Sequence, residues 1–193
     1  MSRPMPQQRL RIIGGAWRSR QLEFPNLDEI RPTPDRVRET LFNWLQAHIH
    51  SARCLEPFCG SGILSFEACS RGAGYCLALD QSKTAISAIK QSLQQWQISA
   101  GQFQCEVADA REWLKNYQGQ GFDLIFLDPP FADNDIAEIL AQCGSKALLA
   151  EDGFIYVETP REITTSDLPA DFEIYRQKRA GAVHYCLVQR AEN

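Results

Sequence analysis

The chain is expected to fold as an α/β protein with a mostly parallel sheet covered by helices on both faces. Three observations carry that expectation. Apolar runs of strand length alternate with helical patterns from residue 53 onward, which demands crossover connections. The expected strand ends carry in turn a glycine loop and three acids. Near the C-terminus, two β-like runs with little between them suit an antiparallel pair at one edge.

The elements follow in order. ARCLEPF (52–58) reads as a strand, ILSFEACSRG (63–72) as a helix and YCLALD (75–80) as a second strand. Next comes an amphipathic helix in which Ile86, Ile89, Leu93 and Trp96 recur at three- and four-residue steps. QFQCEVAD (102–109) is a third strand, followed by a short helix over 110–117. FDLIFL (122–127) contains an unbroken apolar run, the pattern of a strand buried on both faces. Residues 134–149 suit a helix and GFIYVET (153–159) a fifth strand. FEIYRQ (172–177) and AVHYCLVQR (182–190) complete seven strands.

The first fifty residues differ from the rest. LRIIGG (10–15) and RQLEF (20–24) are expected to pair as a hairpin turning at Gly14-Gly15. In RPTPDRVRETLFNWL (31–45), Thr33 can cap a helix, Pro34 suits its first turn, and Val37, Leu41, Trp44 and Leu45 line one face. Residues 1–50 thus read as an extension packed on a main domain formed by 51–193.

With 193 residues, 44% hydrophobic and 23% charged, the composition is that of an ordinary soluble domain. No apolar stretch approaches the ~18 residues of a membrane span, so a cytoplasmic, non-membrane protein is expected. The seven cysteines include no CxxC and read as reduced, mostly buried thiols. They form no metal set with His48, His50 and His184. Net charge is −4, yet the first twenty residues hold Arg3, Arg9, Arg11, Arg18 and Arg20 and no acid. Such an arm can steer phosphates toward one region, or can be a solvated terminus.

In open parallel sheets ligands bind outside the carboxyl ends of the strands. Those ends carry the loop at 56–62 (Glu56-Pro57-Phe58-Cys59-Gly60-Ser61-Gly62), then Asp80, Asp109 and Asp128-Pro129-Pro130-Phe131. Gly60 and Gly62 allow a tight turn and close approach to a ligand. Ser65 interrupts GxGxxG, which weakens a pyrophosphate-binding reading and leaves room for a smaller adenosine cofactor. Asp80 can accept from ribose hydroxyls, or cap the helix beginning near Ser82. Asp109 can accept from an adenine amino group, or cap the helix that follows it.

This set resembles the Rossmann-like, S-adenosylmethionine-dependent class I amino-methyltransferases, whose hallmark is D/N-P-P-F/Y/W at the fourth strand end. RIIGGAWRSRQL (11–22), RPTPDRVRETLFNWL (31–45), FCGSG (58–62) and DPPF narrow the resemblance to the bacterial RsmD family, over about residues 9–190. The resemblance implies methylation of guanine N2 in 16S ribosomal RNA, within the small subunit or an assembly intermediate; nothing in the sequence demands more than a monomer. It implies that Glu56, Phe58, Cys59, Gly60 and Gly62 hold the methionine part of the cofactor. Asp80 and Gln81 would take the ribose, Asp109 and Ala110 the adenine, and Thr33 and Arg38 would lie near the methionine end. Glu56 and Cys59 depart from the aspartate and alanine common in the family.

Methylation of a pyrimidine carbon needs a nucleophilic cysteine, and the fourth strand end has none. An exocyclic amine instead needs acceptors for its hydrogens. Asp128 and the Pro129 carbonyl can serve, with Pro129 and Pro130 stiffening the mount and Phe131 stacking on the base. Arg9, Arg11, Trp17, Arg18 and Arg20 would contact RNA. An adenine-N6 DNA methyltransferase, a protein amide methyltransferase and a non-catalytic RNA- or nucleotide-binding module are the alternatives.

Overall fold

The strands order themselves as alternation requires. The computed structural model describes residues 7–25, 33–129, 136–145 and 148–191. Its elements are β1 (Gln7–Arg11), β2 (Gln21–Pro25), α1 (Asp35–Trp44), β3 (Arg53–Glu56), α2 (Ile63–Ser70), β4 (Tyr75–Asp80) and α3 (Lys83–Gln95). There follow β5 (Phe103–Val107), α4 (Ala110–Asn116), β6 (Phe122–Leu127), α5 (Ile136–Cys143), β7 (Leu149–Thr159), β8 (Phe172–Ala180) and β9 (Val183–Arg190).

Seven strands form one sheet in the order β5-β4-β3-β6-β7-β9-β8, and β1-β2 form a separate two-stranded sheet. All pairings from β5 to β7 are parallel, while β9 runs antiparallel to both of its neighbours. The chain order reverses between β3 and β6, so the ends of those strands flank the switch point where such sheets bind ligands.

Alternating side chains divide the core between the two faces. On one face, Cys54, Leu124, Phe126, Tyr156 and Leu187 pack with Val37, Leu41 and Phe42 of α1, Phe66 of α2 and Ile86 and Ile89 of α3. On the other, Leu55, Ile125, Leu127, Ile155 and Val157 pack with Leu114 of α4 and Ile139 and Leu140 of α5. Each such side chain contributes roughly 1.5–3 kcal/mol by leaving water. All seven cysteines are free and buried. Among the described residues, no helix is long and apolar enough to cross a membrane.

Three local expectations are corrected. β1 ends at Arg11, paired with Gln21, so the expected hairpin forms, with Gly14-Gly15 inside its loop and not at a tight turn. Instead 12–20 is a loop docked on α2: the Glu67 carboxylate accepts from Ile13 N at 2.9 Å and Gly14 N at 2.8 Å. Gly15, at φ +75°, lies so close to α2 that a Cβ there would overlap the Ser70 carbonyl oxygen. Thr33 does not cap α1. Pro34 holds the N-cap position without a side-chain bond, and the Thr33 hydroxyl is used elsewhere. Finally, β7 starts at Leu149, because Leu149 pairs with Phe122 before an irregularity shifts the register.

Candidate active site

The glycine loop is built from its supports. Gly60 and Gly62 adopt φ +50° and +70°, left-handed backbone that side chains resist. A Cβ on Gly62 would meet Ile89 Cδ1 at 3.0 Å. Asp80 fastens the loop to the end of β4: one oxygen accepts from Gly60 N at 2.8 Å and the other from Ser82 N at 2.7 Å. Ser82 in turn caps α3. Glu56 lies buried beneath the loop, accepting from the backbone N–H of Ser65 at 2.9 Å and from its hydroxyl. Burial pushes Glu56 up to about 7, against an ordinary 4.5.

Phe58 is half-buried and packs on the α4/α5 face. Cys59 is buried, and desolvation with the nearby carboxylates raises its thiol further from ionisation. It is an inert packing residue.

One strand over, Asp109 caps α4, accepting from Arg111 N at 2.9 Å and Glu112 N at 3.2 Å. Its second oxygen accepts from Gln81 Nε2 at 3.2 Å, which brings the expected ribose and adenine positions together. Ala110 is buried at the first position of α4. A groove of about 530 Å³ opens beside Asp109, walled by Ala108, Trp113 and Tyr117 among others.

Asp128 follows β6 at the switch point. It receives no hydrogen bond from the protein among the described residues. Desolvation first, then the charges of Glu158 and Glu56, hold its carboxyl well above the usual range. Pro129 beside it is buried, while Pro130 and Phe131 lie outside the described residues. Glu158, near the end of β7, went unnoticed in the sequence because a lone acid in a strand carries no motif. It accepts from Thr33 Oγ1 at 3.1 Å and Tyr156 OH at 3.0 Å. Desolvation raises it too, and those two hydrogen bonds partly oppose the rise. Thr33 is thereby placed beside the Asp128 end of the cleft.

Arg38 lies directly behind Thr33, donating from Nε to its carbonyl at 3.2 Å. It is wholly buried, and its guanidinium donates to the carbonyls of Thr33 and Arg11 and to the carboxylates of Asp35 and Glu67. Those bonds use all five of its N–H donors. Arg38 and Glu67 therefore lock α1 and the 11–14 segment onto α2.

The arginine arm divides. Arg9 pairs with Glu23 at 2.9 Å and Arg11 with Asp35 at 3.5 Å, on the part of the hairpin nearer Thr33. Trp17 is half-buried and meets Trp96 edge-on at 5.8 Å, so it anchors the loop and does not stand open as a stacking platform. Arg20 lies over the Trp96 ring, and Arg18 is exposed nearby in the same loop. Trp96 closes the C-terminal end of α3, so this group lies about 20 Å, the length of α3, from the strand ends.

The cleft can therefore hold an adenosine-type cofactor along the ends of β3, β4 and β5, with an acceptor, Asp128, at its far side. The profile of the family described as Conserved hypothetical protein 95 matches residues 10–189. The chain is similar to Ribosomal RNA small subunit methyltransferase D of Haemophilus influenzae, 38% identical over 96% of each chain. A solved structure from Escherichia coli, "Putative methyltransferase yhhF", superposes with a TM-score of 0.84 at 38% identity, covering 96% of this chain and 100% of that one. "SMU.776, a putative methyltransferase complexed with SAH" shares the fold, with a TM-score of 0.73 at 15% identity, over 97% of this chain and 57% of that one.

Proposed function

The chain belongs to the RsmD family, and from that premise we propose that it methylates the exocyclic N2 of a guanine in 16S ribosomal RNA. The cofactor is S-adenosylmethionine, which when bound supplies an electrophilic methyl group on a sulfonium sulfur. The glycine loop has the open backbone to approach its methionine part, with Asp80 and Gln81 at the ribose and Asp109 and Ala110 at the adenine.

The observation that carries the reading is Asp128, set without a protein donor beside Pro129 at the end of β6. An aromatic amine is a poor nucleophile because its lone pair is delocalised into the ring. Accepting one hydrogen at the Asp128 carboxylate and the other at the Pro129 carbonyl favours a pyramidal nitrogen with its lone pair free. Pro129 has no N–H to compete for these acceptors. Catalysis is then positioning and fixed electrostatics in a direct displacement. Burial and neighbouring acids make the ionised Asp128 a better proton acceptor than an ordinary carboxylate, suited to the proton released after transfer. Pro130 and Phe131 would complete the mount and stack on the base. Arg9, Arg11, Arg18 and Arg20 would hold flanking phosphates on a monomeric enzyme acting in the cytoplasm.

The test offers labelled S-adenosylmethionine with small ribosomal subunits, naked 16S RNA, DNA and protein. Label in N2-methylguanine of the RNA is the expected result. Label confined to N6-methyladenine or to protein overturns the reading.

A further inference from the structure

The far edge of the sheet carries a second cationic surface that the arm and the strand-end motifs do not account for. From Ile174 to Arg190 the chain holds no acid, although its net charge is −4. Arg176, Lys178 and Arg179 project from β8, the edge strand, and all three are exposed. None is in an ion pair among the described residues. The Arg176 guanidinium lies over the ring of Tyr175 at 5.0 Å, and the Lys178 ammonium over Trp44 at 6.0 Å. Tyr175 is 40% exposed, an unusual position for a large side chain here.

Register places this surface at the active end of the sheet. Leu127, just before Asp128, pairs with Val157. Two residues on, Thr159 pairs with His184, which pairs with Arg179. Arg179 thus stands on the same rim as Asp128 but three strands away, about 14 Å at the usual strand spacing. The two-residue turn after Ala180 projects outward, since a Cβ on Gly181 would meet nothing within 4 Å. Two carboxylates on nearby elements are already engaged: Glu158 is buried with Thr33 and Tyr156, and Asp167 is paired with Arg161.

Resting on the RNA-methyltransferase reading, we propose that Tyr175, Arg176, Lys178 and Arg179 form a docking surface for the RNA backbone beside the target nucleotide. Cations along an exposed edge strand, Arg176 and Lys178 on one face and Arg179 on the other, suit a sugar-phosphate chain passing that edge, with the partly exposed Tyr175 ring held by Phe154 and Arg176. Unlike Trp17, Arg18 and Arg20, this surface shares a rim with Asp128. Lysine and arginine on an edge strand also deter strand-to-strand association. Charge reversal separates the two roles, because glutamate protects an edge equally well but repels phosphate.

The experiment compares K178E/R179E and K178Q/R179Q with the unsubstituted protein. It measures KM and kcat with small subunits, RNA affinity against salt, and cofactor affinity by calorimetry. In K178E/R179E, KM for RNA should rise at least about tenfold, and more than kcat changes, with cofactor affinity retained. In K178Q/R179Q, the slope of log affinity against log salt should flatten by about 1.4–1.8, as expected for two lost phosphate contacts. Unchanged KM and salt slope in both variants overturn the proposal. Nucleoside analysis of the unsubstituted protein is independent of this outcome. A product other than N2-methylguanine, with the KM rise present, would remove the guanine assignment and leave the docking surface standing.

Discussion

The Thr33 hydroxyl donates to the Glu158 carboxylate across 3.1 Å, tying the chain just before α1 to the end of β7. Glu158 is also one of two acids whose charge raises Asp128. In glutamine at 158, the amide oxygen can still accept from Thr33 and Tyr156, but the like charge is gone. If Asp128 acts ionised, activity falls as pH drops through its pKa, which here lies above the ordinary carboxylate range. Glu158→Gln should therefore move the acidic limb of kcat/KM to lower pH. A limb that stays put or moves upward would show that Glu158 does not act on Asp128.

Glu67 and Arg38 form a fully buried ion pair at 3.2 Å, and Glu67 also accepts from Ile13 and Gly14. Removing Glu67 leaves the buried Arg38 with only the half-exposed Asp35 as a charged partner. Glu67→Ala should cost about 3–5 kcal/mol in denaturant unfolding and expose 12–20 to limited proteolysis. A loss below about 1 kcal/mol, the scale of an exposed pair, would mean that the extension is held by its apolar contacts alone.

Glu56 links the loop to pH. Its folded pKa of about 7 lies above the ordinary 4.5, so the folded state favours the protonated form. The unfolded chain releases this proton first as pH rises. The Glu56 contribution therefore destabilises the fold progressively between pH 4.5 and 7, by of the order of 3 kcal/mol. Glu56→Gln should flatten stability across that window, measured by thermal unfolding at pH 5 and pH 8 without cofactor. An unaltered pH profile would contradict the assignment.

The strand ends were legible because each is a local pattern. An apolar run followed by Gly60-Ser61-Gly62, Asp80, Asp109 or Asp128 reads the same in sequence and in space. Of the two expectations for Asp109, the helix cap is visible, and its second oxygen remains turned toward Gln81. Glu67 and Glu158 were not legible. Their partners lie 29 and 125 residues away in Arg38 and Thr33, and a buried acid with distant donors leaves no spacing to detect. The same blindness produced the local errors. Gly14-Gly15 reads as a tight turn, but Glu67 holds the Ile13 and Gly14 N–H groups in a longer loop, and Thr33 reads as a cap, but Glu158 takes its hydroxyl. The basic arm was legible as charge but not as position, because only the packing of Trp17 on Trp96 shows which end of the sheet it occupies.

The most direct test of the central claim is single-turnover methyl transfer by Asp128→Ala beside its affinity for S-adenosylmethionine. If Asp128 orients the amine, transfer should fall at least about 100-fold, the usual effect of losing one preorganised polar partner, while cofactor affinity changes less than about threefold. Equal collapse of both would make Asp128 a cofactor residue, and transfer at the unsubstituted rate would remove it from the chemistry.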